Sequence, residues 1–394
     1  MTNPLPLSNL RVLEFTHAVL GPTTGLLLAD FGAEVIKIEP APGGDPTRKL
    51  KGFGVGFAPY TNRNKKSLAV NIKTEEGKAI VHKLLATADI LIENFGPGTM
   101  HRLGFGYDDL CDPYPQLIYC TLKGFMPGPY EKRIALDEVV QMMSGLAYMT
   151  GRPGDPLRAG ASVVDIMTGM YGAMGVLLAL RERETTGKGQ MVKSTLFETA
   201  VFLMGQHMAY AAVSGQPVPP MPARVSAWGI YHQFDVKDGE RVFVGVTSDK
   251  QWQRFCETFA RPDLLADERI STNNGRVLHQ DWLLPELRTM FATMSKTELL
   301  HLCEKADLPF SPIAHPEDLF DDPHLTQSSG LLETILPDGR ITKLPRTPIQ
   351  LGDQKWNLRS NPPHVGADTA ELLTELEYTT NEIQALTTAK IVVT

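Results

Sequence analysis

Asp165 is the residue whose setting most needs a chemical explanation. It stands in GASVVDIMTGMYGAMG, at the head of a long apolar helical stretch where a carboxylate is poorly hydrated. Burial there raises its pKa, whereas the positive end of the helix dipole favours the anion by about 1 kcal/mol. The result is either an ionised, weakly solvated nucleophile or a first-turn acid that caps the helix backbone. Asp137, in IALDEVVQ, poses the same question. His17 lies in FTHAVLGP, after the first predicted strand, where an open α/β sheet binds ligands. It is either a ligand contact or a loop histidine bonded to backbone. Lys65, Lys66, Lys73, Arg102 and Lys123, with the backbone donors of NRNKKS, ENFGPG and LKGFMPG, fall near predicted strand ends and suit an anion such as polyphosphate.

Several other chemistries lack their residues. FTHAVLGP carries no Gly-x-Gly-x-x-Gly, whose glycines let a backbone approach pyrophosphate, so a nicotinamide dehydrogenase is disfavoured. None of the ten histidines falls in His-Glu-x-x-His, and there is no Walker loop or Asp-rich calcium loop, so no metal site is expected. Without a Gly-x-Ser-x-Gly elbow, a serine hydrolase is unsupported too. The acids remain as candidate nucleophiles.

A chain of 394 residues exceeds what one hydrophobic core normally supports, so two unequal lobes are expected. A hydrophobic content of 42% with 21% charged residues excludes disordered and small disulfide-scaffold classes. The formal charge of -7 offers no general attraction to nucleic acid or an anionic membrane, and neither is expected as a partner. Cys111, Cys120, Cys256 and Cys303 form no Cys-x-x-Cys pair, which fits a reducing cytoplasm. MTNPLPLSNL has no basic segment leading into an apolar run, so no secretory leader is expected and the mature chain is expected to begin here. Val163 to Leu180 is apolar enough to be weighed as a membrane span. Asp165 and the small Gly169, Gly172, Ala173 and Gly175 favour instead a buried helix of a soluble protein.

The elements that must hold these residues alternate strand and helix through the first half, the pattern of a parallel sheet covered on both faces. Strands are predicted at 11–16, 34–39, 67–73, 89–95 and 117–122. One helix is predicted at 22–31, opened by Pro22 and closed by Gly32, and another follows a Thr74 cap. Longer helices are predicted at 137–149, 165–183 and 197–213. The proline-rich GQPVPPMPAR, residues 215–224, reads as an extended linker. Beyond it, strands at 229–236 and 241–247 flank KDGE as a hairpin, and helices near 251–259, 282–294 and 296–306 complete a smaller α+β lobe. A second hairpin turns about PDGR, with strands at 331–336 and 341–344, and a last helix spans 369–386.

In combination, LRVLEFTHAVLGPTTGLLLADFGAEVIKIEP, NRNKKSLAVNIKTEEGK, ADILIENFGPGTMHRLGFGYDDL and RAGASVVDIMTGMYGAMGVLLALRERETTGKGQ strongly resemble the third family of CoA-transferases, which includes formyl-CoA transferase and carnitine CoA-transferase. The resemblance runs through nearly the whole chain. It implies a large Rossmann-like α/β domain made from both chain ends, 1–214 and 316–394, a linker at 215–228, and a small α+β domain at 229–315. It also implies a homodimer whose chains interlock, an acyl-CoA and a small carboxylic acid as partners, and no tightly bound cofactor, the CoA thioester being substrate. Asp165 matches the family's nucleophilic aspartate and Asp137 an acid beside the reacting thioester. His17, Ala18, Val70, Lys73, Asn94, Phe95, Gly96 and Arg102 match positions that contact CoA. Pro40 stands where some members place an arginine, which removes an adenine contact, and RVSAWG replaces the Gly-rich loop of formyl-CoA transferase.

The chemistry implied is acyl transfer through a mixed anhydride and a thioester on Asp165, with N–H groups at the helix start as oxyanion donors. FGPGTMHRLGFGY, GPYEKRIALDEVVQMMSGLAYMTG and MGQHMAYAAVSGQPVPPMPARVSAWG look most like bacterial members acting on short branched dicarboxylates, itaconate in particular, with succinyl-CoA as donor. A second carboxylate asks for a bidentate arginine. Arg48, Arg133, Arg158 and Arg224 are the candidates, each with an ordinary ion pair as its alternative role. Two other functions compete. An α-methylacyl-CoA racemase of the same fold would need a histidine where Leu136 stands, and a noncatalytic acyl-CoA-binding protein would not need Asp165.

Overall fold

The apolar runs of the first half become β1 (Arg11–Phe15), β2 (Glu34–Glu39), β3 (Lys65–Val70), β4 (Ile90–Glu93), β5 (Ile118–Lys123) and β6 (Met191–Thr195). They belong to a computed structural model that describes residues 4–224, 226–237, 239–354 and 356–394. The six strands run parallel in the order β3-β2-β1-β4-β5-β6, and Val392–Val393 adds antiparallel beside β3. Central strands are apolar runs because both faces of the sheet are covered. The sequence does not announce β6, since MVKST at the sheet edge is partly exposed and lacks such a run.

Helices α1 (Leu20–Asp30), α2 (Glu75–Leu85), α3 (Asp137–Met143) and α4 (Val163–Thr186) link these strands. The Thr74 hydroxyl caps α2 by accepting the Gly77 N–H at 3.1 Å, with Glu75 and Glu76 in its first turn. On one face of the sheet, Ile80, Val81 and Leu84 of α2 pack with Leu372 and Leu373 over Leu13, Phe15, Ile36 and Leu91, so both ends of the chain fill one core. On the other face, Leu28 and Ala29 of α1 join Val164, Ala173 and Val176 of α4 over Val12, Ile90, Ile118 and Cys120.

Helix α4 lies close to its neighbours because it is glycine-rich. A Cβ at Gly169 would meet the Leu20 carbonyl oxygen at 2.8 Å and Thr23 at 2.9 Å, and one at Gly172 would meet Leu122 at 2.8 Å. The expectation of a buried helix holds for that face alone. Met170, Met174, Leu177 and Leu178 on the other side are exposed. Among the described residues, α4 is also the one helix long and apolar enough to cross a membrane.

Three predicted helices are divided. The 137–149 stretch breaks at Gly145, whose φ of 88° ends α3 before a short helix at Leu146–Thr150. The 197–213 stretch divides at Met204 into Leu196–Leu203 and Gly205–Ser214. The last divides into Thr369–Glu375 and Thr380–Thr388, where Glu377 takes φ 66° and Thr379 with Glu382 forms a capping box.

Contacts divide the chain into two units, one of residues up to Pro222 with Thr326–Thr394, the other Ala223–Leu325. The second holds an antiparallel sheet in the order β7 (Ile230–Asp235), β8 (Arg241–Val246), β9 (Phe310–Pro312), cored by Phe234, Val244, Trp252, Phe255 and Phe291. It begins before residue 229 because Asn273 donates to the Ala227 carbonyl and Gln280 to that of Trp228, and it takes in the turn Pro316–Phe320. The predicted PDGR hairpin forms from Leu331–Ile335 and Ile341–Pro345.

Candidate active site

The order β2-β1-β4 means that successive crossovers leave β1 on opposite sides, so a crevice opens at the carboxyl ends of β1 and β4. The loops after those strands flank it. They are tied reciprocally: the His17 N–H donates to Asn94 Oδ1 at 3.0 Å, and Asn94 Nδ2 donates to the His17 carbonyl at 3.0 Å. The His17 and Phe95 rings stack with centroids 5.6 Å apart. His17 faces solvent on one side, yet desolvation by the atoms around it holds the imidazole below its ordinary value, with Asp45 pulling the other way.

His17, Ala18, Asn94, Phe95 and Gly96 thus come together at the crevice. Arg102 follows on the short helix Thr99–Leu103, where its Nη2 donates to Thr99 Oγ1 at 2.9 Å. Val70 and Lys73 stand apart, at the end of β3 two strands from β1. Val70 is buried beside Val392, and Lys73 is exposed.

Several basic residues suggested by the sequence as anion ligands have internal partners instead. Lys123 Nζ lies 2.7 Å from Glu93 Oε2 and donates to the Phe95 carbonyl at 2.6 Å. The same buried Glu93 carboxylate accepts the Phe95 N–H at 3.0 Å and the Thr121 hydroxyl, which stiffens the turn from below. Lys65 is fully buried 2.7 Å from Glu14, and burial lowers its pKa to about 8 against the pull of that carboxylate. Lys66 pairs with Glu34 at 2.9 Å and Glu371 at 2.8 Å. Arg48 engages both oxygens of Glu39, at 2.6 and 2.7 Å, and the Pro363 carbonyl. Lys65 and Lys66 open β3 at its amino end, away from the crevice, so a position near a strand end signals neither proximity to the crevice nor a free charge.

The two acids are joined. Helix α4 starts after Ser162, whose side chain makes no cap bond, and the buried Asp137 reaches in from α3 to do so. Asp137 Oδ2 accepts the N–H groups of Val164 at 2.9 Å and Asp165 at 3.0 Å. Gln141 Nε2 donates to Asp137 Oδ1, and Gln141 Oε1 accepts the Ala159 N–H at 2.9 Å. Sequence reasoning passed over Gln141, though its place four residues after Asp137 on a helix was a usable signal. Capping by Asp165 itself is not what happens: among the described residues its carboxylate makes no hydrogen bond or ion pair, and it is half-buried. Burial, then the neighbouring Asp137, pushes its pKa up to about 7, with Arg158 opposing.

The first-turn N–H groups are occupied as well, which removes them as the expected oxyanion donors. Val163 donates to the Ala161 carbonyl, Val164 and Asp165 to Asp137, and Ile166 to the Ser162 carbonyl. The nearby cation is Arg158, 3.7 Å from Asp137 Oδ1 and 3.7 Å from Glu138 Oε2, distances too long for a closed bidentate pair. Of the other candidate arginines, Arg133 lies over the Tyr130 ring at 4.9 Å, and Arg224 belongs to the second unit. Gly169 touches the start of α1, and Asp165 lies one turn before it. Asp165 therefore precedes by one turn the point where α4 packs on the start of α1, the helix that follows the His17–Ala18 loop. Among the described residues, no three His, Cys, Asp or Glu side chains converge as metal ligands.

Across residues 7–369 the chain matches the model of CoA-transferase family III. It is 35% identical over 386 residues to the succinate–glutarate CoA-transferase of Agrobacterium fabrum, covering 94% of this chain and 96% of that one. It is 31% identical over 406 residues to the succinyl-CoA:glutarate CoA-transferase of Homo sapiens, covering 100% and 91%. The crystal structure of a CAIB/BAIF family protein from Brucella suis matches with a TM-score of 0.84 at 31% identity, covering 95% and 100%.

Proposed function

This chain belongs to CoA-transferase family III, and we propose that it moves CoA from succinyl-CoA to a short dicarboxylate, itaconate or a close C5 diacid, through a thioester on Asp165. The observation that carries the reading is the Asp165 carboxylate, poorly hydrated, without a hydrogen-bond partner among the described residues, and held in place by a cap made on its own main chain. Such a carboxylate is a stronger nucleophile than one in water.

The steps balance without ATP. Asp165 attacks the donor thioester carbonyl, the C–S bond breaks, and a mixed anhydride and CoA thiolate result. The thiolate attacks the aspartyl carbonyl, releasing the donor acid and leaving CoA on Asp165. The acceptor carboxylate then attacks that thioester, breaking its C–S bond to give a second mixed anhydride and CoA thiolate, and the thiolate attacks the acceptor carbonyl, freeing the new acyl-CoA and the Asp165 carboxylate. His17, Ala18, Asn94, Phe95, Gly96, Arg102, Val70 and Lys73 supply the CoA contacts in this reading.

Relatives named for succinate and glutarate support a dicarboxylate acceptor, and itaconate has the same number of carbons as glutarate. Of the four candidate arginines, this reading assigns the distal carboxylate to Arg158, whose 3.7 Å ion pairs with Asp137 and Glu138 are long. The apolar stripe of Met170, Met174 and Leu178 is assigned to contact with a second copy in a cytoplasmic homodimer, the chains interlocking through the proline-rich 215–224 segment. Leu136, exposed and without a titratable group, argues against the racemase. The test is to mix the enzyme with succinyl-CoA, digest it and weigh the peptides. A mass increase of CoA on the Asp165 peptide, absent in Asp165→Asn, is expected; turnover without that adduct defeats the mechanism.

A further inference from the structure

Ala18 is a non-glycine residue at φ 61°, a left-handed conformation that side-chain-bearing residues seldom adopt without being held. Its holder is visible. The Ala18 N–H donates to Thr47 Oγ1 at 2.8 Å, and Thr47 is buried in the turn Pro46–Lys49. The Thr47 N–H donates to Asp45 Oδ1 at 2.8 Å, and Asp45 Oδ2 lies 3.0 Å from Lys37 Nζ. Lys37, fully buried on β2, donates in turn to the Thr16 carbonyl at 2.8 Å. A single buried ladder, Lys37–Asp45–Thr47, therefore grips the β1 loop on both sides of His17. Glu14 braces it from below, 3.4 Å from Lys37 and accepting the Thr16 hydroxyl at 2.6 Å.

Stability alone gives little reason for this arrangement, because buried ion pairs seldom outperform apolar residues of similar volume. Its output is the orientation of two main-chain groups in a loop at the crevice, which points to preorganisation. Asp45 fits the part: burial pushes its carboxyl up, but Lys37 and the hydroxyl and N–H of Thr47 more than offset this and keep it anionic.

We propose that Thr47, backed by the Lys37–Asp45 pair, is a positioning residue that presets the His17–Ala18 loop to receive the acyl-CoA. The inference rests on the reading that this loop contacts CoA. Thr47→Val keeps the volume and deletes the acceptor of the Ala18 N–H; Thr47→Ala deletes it with less bulk and is measured in parallel in case the valine does not fold; Thr47→Ser restores the hydroxyl. Asn94→Ala serves as a reference for the loop itself. CoA dissociation constants by calorimetry, KM for succinyl-CoA and for the acceptor acid, kcat and melting temperature are compared.

Either hydroxyl-deleting variant should weaken CoA and raise the KM for succinyl-CoA by about 10-fold, the upper range for one neutral hydrogen bond. The kcat and acceptor KM should stay within about twofold, and Thr47→Ser should recover CoA affinity. Unchanged CoA affinity in both, with Asn94→Ala weakened, overturns the positioning role and leaves the loop reading in place. No change in any of the three overturns both. A fall in kcat and melting temperature with CoA affinity intact assigns Thr47 to stability and likewise overturns the proposal.

Discussion

The main-chain N–H of Asp165 points at the side chain of Asp137, 3.0 Å away, so the acid that caps α4 and the acid that heads it are neighbours of like charge. Two consequences follow from one contact. Capping by Asp137 satisfies the helix end and leaves the Asp165 carboxylate uncommitted, while the repulsion between them, added to burial, keeps Asp165 reluctant to ionise. Arg158 opposes that upward pKa shift and leaves the cap intact.

The rate should therefore follow the ionisation of Asp165. Its pKa is pushed up to about 7, so kcat/KM for succinyl-CoA should rise with pH through that value and level off above it. Asp137→Asn keeps an acceptor oxygen for the helix cap and removes the like charge, which should move the rising limb to lower pH. A limb that stays where it is would show that Asp137 does not set the ionisation.

Stability should run the opposite way. Folded Asp165 keeps its proton to about pH 7, whereas the unfolded chain releases it near the ordinary value of 3.8. Between those values the folded state binds more protons, so this group's contribution falls as pH rises and stays low above 7. Asp165→Asn removes the effect. Its melting temperature should exceed that of the wild type at pH 8 by an amount worth about 1 to 2 kcal/mol, reduced for a half-exposed group by solvent screening, and should match it at pH 4. Equal melting temperatures at both pH values would mean that the carboxylate is better solvated than its surroundings indicate.

Asp165 was legible in the sequence because an acid among GASVV and IMTGMYGAMG contradicts its neighbours, and the central strands were legible because both of their faces are buried. Edge strand β6 and the break at Glu377 carry no such contrast. The cap on α4 comes from 28 residues away, and a lysine such as Lys37 within a strand reads as solvated until the turn at Asp45 folds over it. The basic residues misled for the same reason. Lys123 and Arg48 sit at the carboxyl-end side of the sheet, whereas Lys65 and Lys66 open β3 at its amino end, away from the crevice; carboxylates remote in sequence hold the three lysines and Glu39, nine residues away, holds Arg48.

Packing of α4 against α1 leaves no room for a methyl group at Gly169, where the obstacle includes the Leu20 carbonyl, which cannot rotate away. Gly169→Ala should cost about 1 to 3 kcal/mol by overpacking, read as a lower denaturation midpoint with unchanged slope. An unaltered midpoint would mean that the two helices can separate freely.

Met170, Met174 and Leu178 form an exposed apolar row along α4, and the exposed Phe202 packs edge-on against Tyr171 of the same helix. If a second copy covers it, the wild type should sediment as a dimer at micromolar concentration, and Met170→Glu with Met174→Glu should dissociate it. A wild-type monomer would remove the interlocked arrangement.

Specificity should depend on Arg158. Its guanidinium lies near enough to Asp165 to act on its ionisation, with carboxylates on Asp137 and Glu138 each 3.7 Å away, distances that leave its donors able to meet a second substrate carboxylate. Leaving that carboxylate unpaired in a closed site is expensive, and Arg158→Ala should reduce kcat/KM for itaconate or glutarate by about 2 to 5 kcal/mol in transition-state free energy. The same substitution also removes a positive neighbour of Asp165 and raises its pKa further, which would slow every acceptor at neutral pH. Measuring at pH 9, where Asp165 is ionised in both proteins, separates the two effects. There, monocarboxylate acceptors should lose much less than the diacids. An equal loss for both classes would reduce Arg158 to an electrostatic aid to the nucleophile, and turnover with formate, oxalate or carnitine matching that with itaconate would defeat the dicarboxylate assignment while leaving CoA transfer itself untouched.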